Sequence, residues 1–300
     1  MASPQQRIED TLQTALAGAE AGGAPPRLAA ALRHAVFPGG ARVRPQLALA
    51  VAAACGDDAP ALADAAAAAI ELMHCASLVH DDLPCFDDAP LRRGRPSVHA
   101  AHGERLAVLA GDALIVLAFE VLARAAGNGR AAARLPALLA VLAARVGAPL
   151  GIVAGQAWEC EDWVALPDYQ RAKTGSLFAA ATEMGALAAG APARDWRAFG
   201  EWLGEAYQVA DDIRDVAADP AWLGKPVGRD QHLGRPNVVA EMGMAGALEH
   251  FEQLVQRSAD AVPAGRGAAP LKALLRAEAA RLLPPALVAA QRGAPLRAAA

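Results

Sequence analysis

Residues 80–99 read HDDLPCFDDAPLRRGRPSVH. Four carboxylates (Asp81, Asp82, Asp87 and Asp88) fall within eight residues, and Arg92, Arg93 and Arg95 follow almost at once. An ordinary solvated loop intersperses its charges, whereas this one separates an acidic block from a basic block. Crowded carboxylates raise each other's pKa unless a cation sits between them. Their hard oxygens suit Mg²⁺, which keeps several waters and bridges one or two carboxylates to substrate phosphates. The planar guanidinium fork suits phosphate oxygens. The stretch therefore predicts a site for metal-bound phosphate.

A second acidic cluster lies far along the chain. Residues 207–215, YQVADDIRD, carry the pattern DDxxD on a predicted helix. At roughly 100° per residue, Asp211 and Asp215 share a face one turn apart, with Gln208 beside them. The first cluster cannot do this, because Asp81 and Asp87 are roughly 240° apart on a straight helix. Pro84 supplies a way to end the helix between them, since proline removes a donor and disfavours helical geometry in the residue before it. One helix-end cluster and one helical face could thus close on shared metal ions from opposite sides.

These two motifs resemble those of the trans-isoprenyl diphosphate synthases, or polyprenyl synthetases. The family's first aspartate-rich motif matches Asp81, Asp82 and Asp87, with its trailing arginine pair at Arg92 and Arg93. The second matches Asp211, Asp212 and Asp215. The segment GGARVRP at 39–45, His74, Gly155–Gln156, Lys173–Thr174–Gly175, Gln208 and Gly224–Lys225 extend the likeness along the chain. The resemblance implies an all-α bundle of the isoprenoid synthase type around a central apolar cavity, spanning residues 1–300 as one domain. It implies condensation of isopentenyl diphosphate with an allylic diphosphate, head to tail, with Mg²⁺ as cofactor.

Roles follow residue by residue from the same resemblance. Asp81, Asp82, Asp87, Asp211 and Asp215 are expected to hold Mg²⁺, and Asp212 and Lys173 join the catalytic set. Arg92, Lys173, Thr174, Lys225 and Arg235 are expected at the allylic diphosphate, and Gln208 is expected among the substrate-binding residues. Arg42, Arg44, His74 and Arg93 are expected at isopentenyl diphosphate. The chain departs from the family at Ala41, where a lysine is usual, at Arg235, where a lysine is more common, and at Glu159, which replaces the aspartate of GQxxD. Ala76 and Ser77, five and four residues before Asp81, are small where family members that stop at fifteen carbons carry a bulky aromatic. A twenty-carbon product, geranylgeranyl diphosphate, is therefore expected, with farnesyl diphosphate as the alternative. A terpene cyclase needs no second diphosphate site, so Arg44, His74 and Arg93 argue against it. A silent synthase subunit would have lost aspartates that are all present here.

The elements that must position these residues read as helices throughout. Apolar positions recur at three- and four-residue intervals and no convincing strand alternation is visible. Composition is 54% hydrophobic but only 4% aromatic, with alanine abundant, which favours helices packed closely through small side chains. Glycine and proline clusters mark breaks near residues 21–26, 37–40, 56–60, 127–129, 147–149, 190–192, 219–220 and 263–267. Asp57 and Asp58 read as turn and N-cap chemistry. A helix from about 61 to 80 is apolar nearly all round, as expected in the middle of a bundle. Asp112, an acid inside another apolar helix, must be paired or hydrogen-bonded if buried, and a structural partner rather than a catalytic role is expected for it.

Net charge is −4 with no basic stripe, so nucleic acid is not an expected partner. No uninterrupted apolar run reaches the roughly 18 residues of a membrane span. The N-terminal residues lack a basic region followed by an apolar one, and the four cysteines lack metal-ligand spacing. A cytoplasmic enzyme is expected, forming a homodimer by analogy with the family.

Overall fold

The computed structural model describes residues 2–37, 40–163, 165–217 and 237–283. Its helices end where the breakers fall. Helix α1 (Pro4–Glu20) starts at Ser3, whose side chain accepts from the Gln6 N–H, with proline in the first turn where no intrahelical donor is needed. Ile8, Leu12, Ala15 and Leu16 form its buried stripe. Helices α2 (Pro26–Val36) and α3 (Val43–Ala54) follow.

Helix α4 (Pro60–Asp81) is the centre of the bundle, and every residue from Ala65 to Met73 is buried. Neither Asp57 nor Asp58 caps it: the N-cap is Ala59, and no side chain bonds there. Asp57 instead pairs with Arg7 and Asp58 with Arg134.

Beyond α4 the chain makes a small hairpin that no period-2 pattern announces. Strands β1 (Leu91–Arg92) and β2 (Arg95–Pro96) pair antiparallel through a turn in which Arg93 and Gly94 both have positive φ. Two left-handed central residues give the twist that a two-residue hairpin requires. A short α5 (Val98–His102) leads to α6 (Glu104–Ala126) and α7 (Arg130–Val146). Asp112 is not buried in α6: its side chain is 61% exposed, 3.9 Å from His80. Apolar neighbours at Val108, Leu109 and Val116 are exposed too. Helices α4 and α6 both reach the length and mean hydropathy of a membrane span, because a few charges do not outweigh their apolar residues. α4 is mostly buried within the bundle and α6 is about half buried.

The second half contributes α8 (Ile152–Ala157), a 3₁₀ turn at Trp158–Cys160, α9 (Leu166–Gln170), a π-helical turn at Arg171–Gly175, α10 (Ser176–Ala188) and α11 (Arg197–Ala217). Helices α12 (Val238–Ala261) and α13 (Ala268–Leu282) complete it. Small residues set the helix spacing. A Cβ on Gly204 would lie 2.6 Å from Gly175 Cα, and one on Gly185 only 2.3 Å from the Ala48 carbonyl oxygen. Two clusters of buried apolar side chains result, one around α4 and α10, the other among α9, α11, α12 and α13. Helix α11 spans both, with Phe199 and Leu203 in the first and Val209 and Ile213 in the second.

Candidate active site

The last residue of α4 is Asp81, and the chain after it folds back on itself. The Asp82 N–H still donates to Leu78 O, but the Asp87 N–H returns to Asp81 O at 2.9 Å and the Ala89 N–H to Asp82 O at 3.1 Å. This loop brings Asp87 back to the cavity that Asp81 lines, solving the angular problem posed by their spacing. Asp88, at positive φ, points elsewhere; its exposed carboxylate is 3.9 Å from His99.

Asp82 faces the other way. It is 2% exposed, and both its oxygens accept from Arg92: Nε at 3.0 and 3.2 Å, Nη2 at 2.5 Å. It therefore does not join Asp81 and Asp87 in lining the cavity, whereas its partner Arg92 does line it. Burial outweighs Arg92 and holds the Asp82 carboxyl above its ordinary range. Asp81 is likewise raised, first by burial, with Asp87 and Glu159 adding to the effect and Lys173 opposing it.

The opposite wall is α11. Gln208, Asp211 and Asp212 line the cavity, whereas Asp215, one turn beyond Asp211, is buried outside the lining. Asp211 is held by Arg214 at 2.8 Å. Asp212 accepts from Gln208 Nε2 at 2.9 Å and from the Val238 N–H at 2.9 Å. Gln208 in turn accepts from Thr174 Oγ1 at 2.6 Å, tying α11 to the π turn that carries Lys173 and Thr174. That turn sits flush on α8, since a Cβ on Gly155 would fall 2.3 Å from Lys173 N. The adjacent Gln156 bridges the walls, donating to Ser77 O at 3.0 Å and to Asp81 Oδ1 at 3.3 Å.

A basic corner closes a third side. Arg44 donates to His74 Nε2 at 3.4 Å, so His74 is neutral with its proton on Nδ1. Burial first, then Arg44, Arg93 and Arg92, hold the His74 pKa well below its ordinary value. The Arg44 guanidinium stacks 4.6 Å from the Phe178 ring and 5.6 Å from Tyr207, and its buried Nε has no hydrogen-bond partner. Arg93 lies against Gly40, where a Cβ would meet its guanidinium at 2.5 Å, and lines a smaller neighbouring cavity together with Arg92.

Arg42 is a correction to the expected set. Its side chain is fully buried and paired with Glu71 at 2.6 Å and Glu9 at 2.9 Å, and it donates to Val36 O at 2.8 Å. Its positive φ of 48° at the N-cap of α3 turns it inward, away from the cavity that Arg44 reaches two residues later. Lys225 and Arg235 lie outside the described residues.

The whole cavity measures about 970 Å³ including its open mouth, and carboxylates and cations face each other across it. Residues 25–263 match the family described as Polyprenyl synthetase. The chain belongs to that family. Among curated polyprenyl synthetases it is 53% identical over 280 residues to the geranylgeranyl diphosphate synthase of Cereibacter sphaeroides, covering 93% of this chain and 96% of that one. It is 50% identical over 282 residues to the enzyme of the same name from Rhodobacter capsulatus, covering 94% and 96%. Among solved structures, a geranyltransferase from Legionella pneumophila superposes with a TM-score of 0.78 at 31% identity, covering 92% of this chain and 94% of that one. One from Helicobacter pylori, complexed with magnesium and isoprenyl diphosphate, superposes at 0.76 with 28% identity, covering 94% and 99%.

Among the described residues, no three His, Cys, Asp or Glu side chains are grouped closely enough to hold a metal ion by themselves. This fits magnesium all the same, because that ion takes one or two carboxylates and fills its remaining positions with water and substrate phosphates. Asp81 and Asp87 on one wall and Asp211 and Asp212 on the other are the cavity-lining carboxylates, Asp212 being already engaged by Gln208 and the Val238 N–H.

Besides Gln156 and the apolar Leu78 and Ile152, three lining or supporting residues have no role in the expected set. Tyr169 and Tyr207 line the cavity, and Glu159 sits behind Lys173. Only Glu159 had a sequence signal, through its place in the GQxxD-like segment; the tyrosines had none.

Proposed function

We propose that the chain condenses isopentenyl diphosphate with an allylic diphosphate and releases geranylgeranyl diphosphate. The observation that carries this reading is that one cavity is lined by two sets of cations beside its carboxylates. Arg92 and Lys173, with Thr174, form one, and Arg44 beside His74, backed by Arg93, forms the other. The names of the bacterial relatives at 53% and 50% identity support the twenty-carbon product.

Breaking an allylic carbon–oxygen bond leaves multiple charges on the departing diphosphate, and that charge must be stabilised as it develops. Asp81, Asp87 and Asp211 would hold magnesium, which when bound would supply part of that stabilisation. Lys173, Thr174 and Arg92 donate to the leaving diphosphate from the cavity wall. Arg44 and His74 hold isopentenyl diphosphate so that its double bond meets the cation, and the aromatic faces of Phe178 and Tyr207 keep Arg44 aimed. No side-chain base is assigned to the final proton, which the released diphosphate is suited to take.

Product length follows from small residues below Asp81. Ala76 and Ser77 are buried, and Ser77 lines the cavity. Purified protein given labelled isopentenyl diphosphate, an allylic starter and Mg²⁺ should accumulate a twenty-carbon product. A fifteen-carbon end product would reject the tunnel argument, and no turnover would reject the enzyme. Ala76→Tyr should shorten the product.

The reading includes one domain, since α11 spans both apolar clusters, and a homodimer, for which the exposed Val108, Leu109 and Val116 on α6 are a suitable surface. It places the enzyme in the cytoplasm, in keeping with four free cysteines, with no nucleic-acid partner and no membrane span.

A further inference from the structure

The chain has only three lysines, Lys173, Lys225 and Lys272, and otherwise uses arginine as its cation. Lysine at 173 is therefore a departure from the chain's own habit. Its ammonium is a compact point charge on a flexible stem, able to pass from one anion to another in a way that a rigid guanidinium fork is not.

Two carboxylates compete for it. Lys173 Nζ lies 2.5 Å from Glu159 Oε1 and 3.6 Å from Asp81 Oδ2. Tyr169 donates its hydroxyl to the same Glu159 oxygen, and its ring centre is 5.9 Å from the ammonium. Lys173, Asp81 and Tyr169 line the cavity, whereas Glu159 reaches the lysine from the 3₁₀ turn behind it. Both partners are largely buried, at 19% exposure for Lys173 and 12% for Glu159, so water screens the pair weakly.

We infer that Glu159, clamped by Tyr169, is the positioning residue for Lys173, and that it keeps the ammonium at the rim of the allylic diphosphate corner and off Asp81. Without that carboxylate the nearest anion is Asp81. Lys173 would close onto it, neutralising an oxygen donor of the acidic wall and withdrawing the cation meant for the diphosphate. The Tyr169 hydroxyl fixes which Glu159 oxygen faces the lysine. When a diphosphate oxygen arrives, the ammonium turns about its stem towards it, and Glu159 remains behind as the second partner. This rests on the reading that the cavity takes an allylic diphosphate.

The test is the variant Glu159→Gln, which preserves shape and removes charge. Losing a hydrogen bond to a charged group should raise the KM for the allylic substrate about tenfold or more, and weaken calorimetric binding of a non-ionisable allylic thiolodiphosphate by a similar factor. The KM for isopentenyl diphosphate and the melting temperature should stay near wild type. Glu159→Asp should recover part of the loss, and Tyr169→Phe, which deletes a single hydroxyl and folds in any case, should show a smaller loss of the same kind. Unchanged allylic affinity in Glu159→Gln and Tyr169→Phe would overturn the inference. So would an equal loss for both substrates accompanied by a lower melting temperature, which is the mark of a merely structural role. Wild-type protein that neither turns over nor binds the thiolodiphosphate would instead remove the functional reading beneath it.

Discussion

The two acidic walls use the same residue type and are built by opposite means. The first hangs from the broken end of α4, where backbone hydrogen bonds from Asp87 to Asp81 and from Ala89 to Asp82 fold a loop back into the cavity. The second is an unbroken face of α11, where the helical period sets each residue's direction and Arg214, Gln208 and the Val238 N–H hold the carboxylates. A helix end can bring distant residues together, but it needs outside support, and here Arg92 supplies it by locking the buried Asp82. A helical face finds most of its support one turn away on its own helix, as Asp211 does in Arg214 and Asp212 in Gln208, yet it commits each residue to one direction. Asp211 and Asp212 reach the cavity and Asp215 is carried past it. The looser wall is thus the more dependent on its neighbours.

Several substitutions sharpen that contrast. Asp81→Asn should reduce kcat by about three orders of magnitude, the scale seen when a preorganised charge contact to a transition state is lost. Because burial raises the folded-state pKa of Asp81, its ionised form costs stability at every pH above that raised value. The same variant should therefore melt a few degrees higher at neutral pH, read by calorimetry without substrate. Breaking the lock should cost next most. Arg92→Met leaves Asp82 buried and unpaired and should lower stability by about 3 kcal/mol in denaturant titration. The matching change on the helical wall, Arg214→Met, should cost about 1 kcal/mol or less, since Asp211 is 33% exposed and can turn to water. Equal losses from the two would erase the distinction. Thr174→Ala, which cuts the tie between the π turn and Gln208, should lower kcat/KM for the allylic substrate about tenfold.

The smallest expected effect is a pH dependence. His74 is held neutral in the fold, with its pKa well below the ordinary 6.5 that applies when the chain unfolds. The unfolded chain therefore binds the extra proton as pH falls below 6.5, and the fold loses stability on that side and not above it. His74→Gln should flatten this acid limb of a melting-temperature profile while leaving the neutral plateau in place.

Helix boundaries were legible because glycine and proline act locally. The break after Asp81 was legible because the spacing of Asp81 and Asp87, tested against a 100° step, rules out a straight helix. On α11 the same step pairs Asp211 with Asp215, whereas the cavity is lined by Asp211 and Asp212. What escaped notice was decided by tertiary partners. Arg42 and Arg44 are two residues apart and both basic. Only the left-handed turn at Arg42, together with Glu9 and Glu71 waiting behind it, sends one inward and the other to the cavity. Nothing in the order of residues says that Arg92 will claim both oxygens of Asp82. Whether Asp112 is buried is not legible from its apolar helix, because that apolar surface extends onto the exposed side of α6, where hydropathy alone does not distinguish inside from outside.

The π turn at Arg171–Gly175 has a numerical meaning for the chain. A single π turn is an α-helix that has accepted one surplus residue without gaining length. Removing any one residue there would let the helix regularise and rotate everything before it by about 100° relative to α10. Tyr169 would swing out of the wall, and its neighbour Lys173 would lose its bearing on Asp81. The number of residues between Leu166 and Ser176 is therefore as much a part of the catalytic apparatus as their identity.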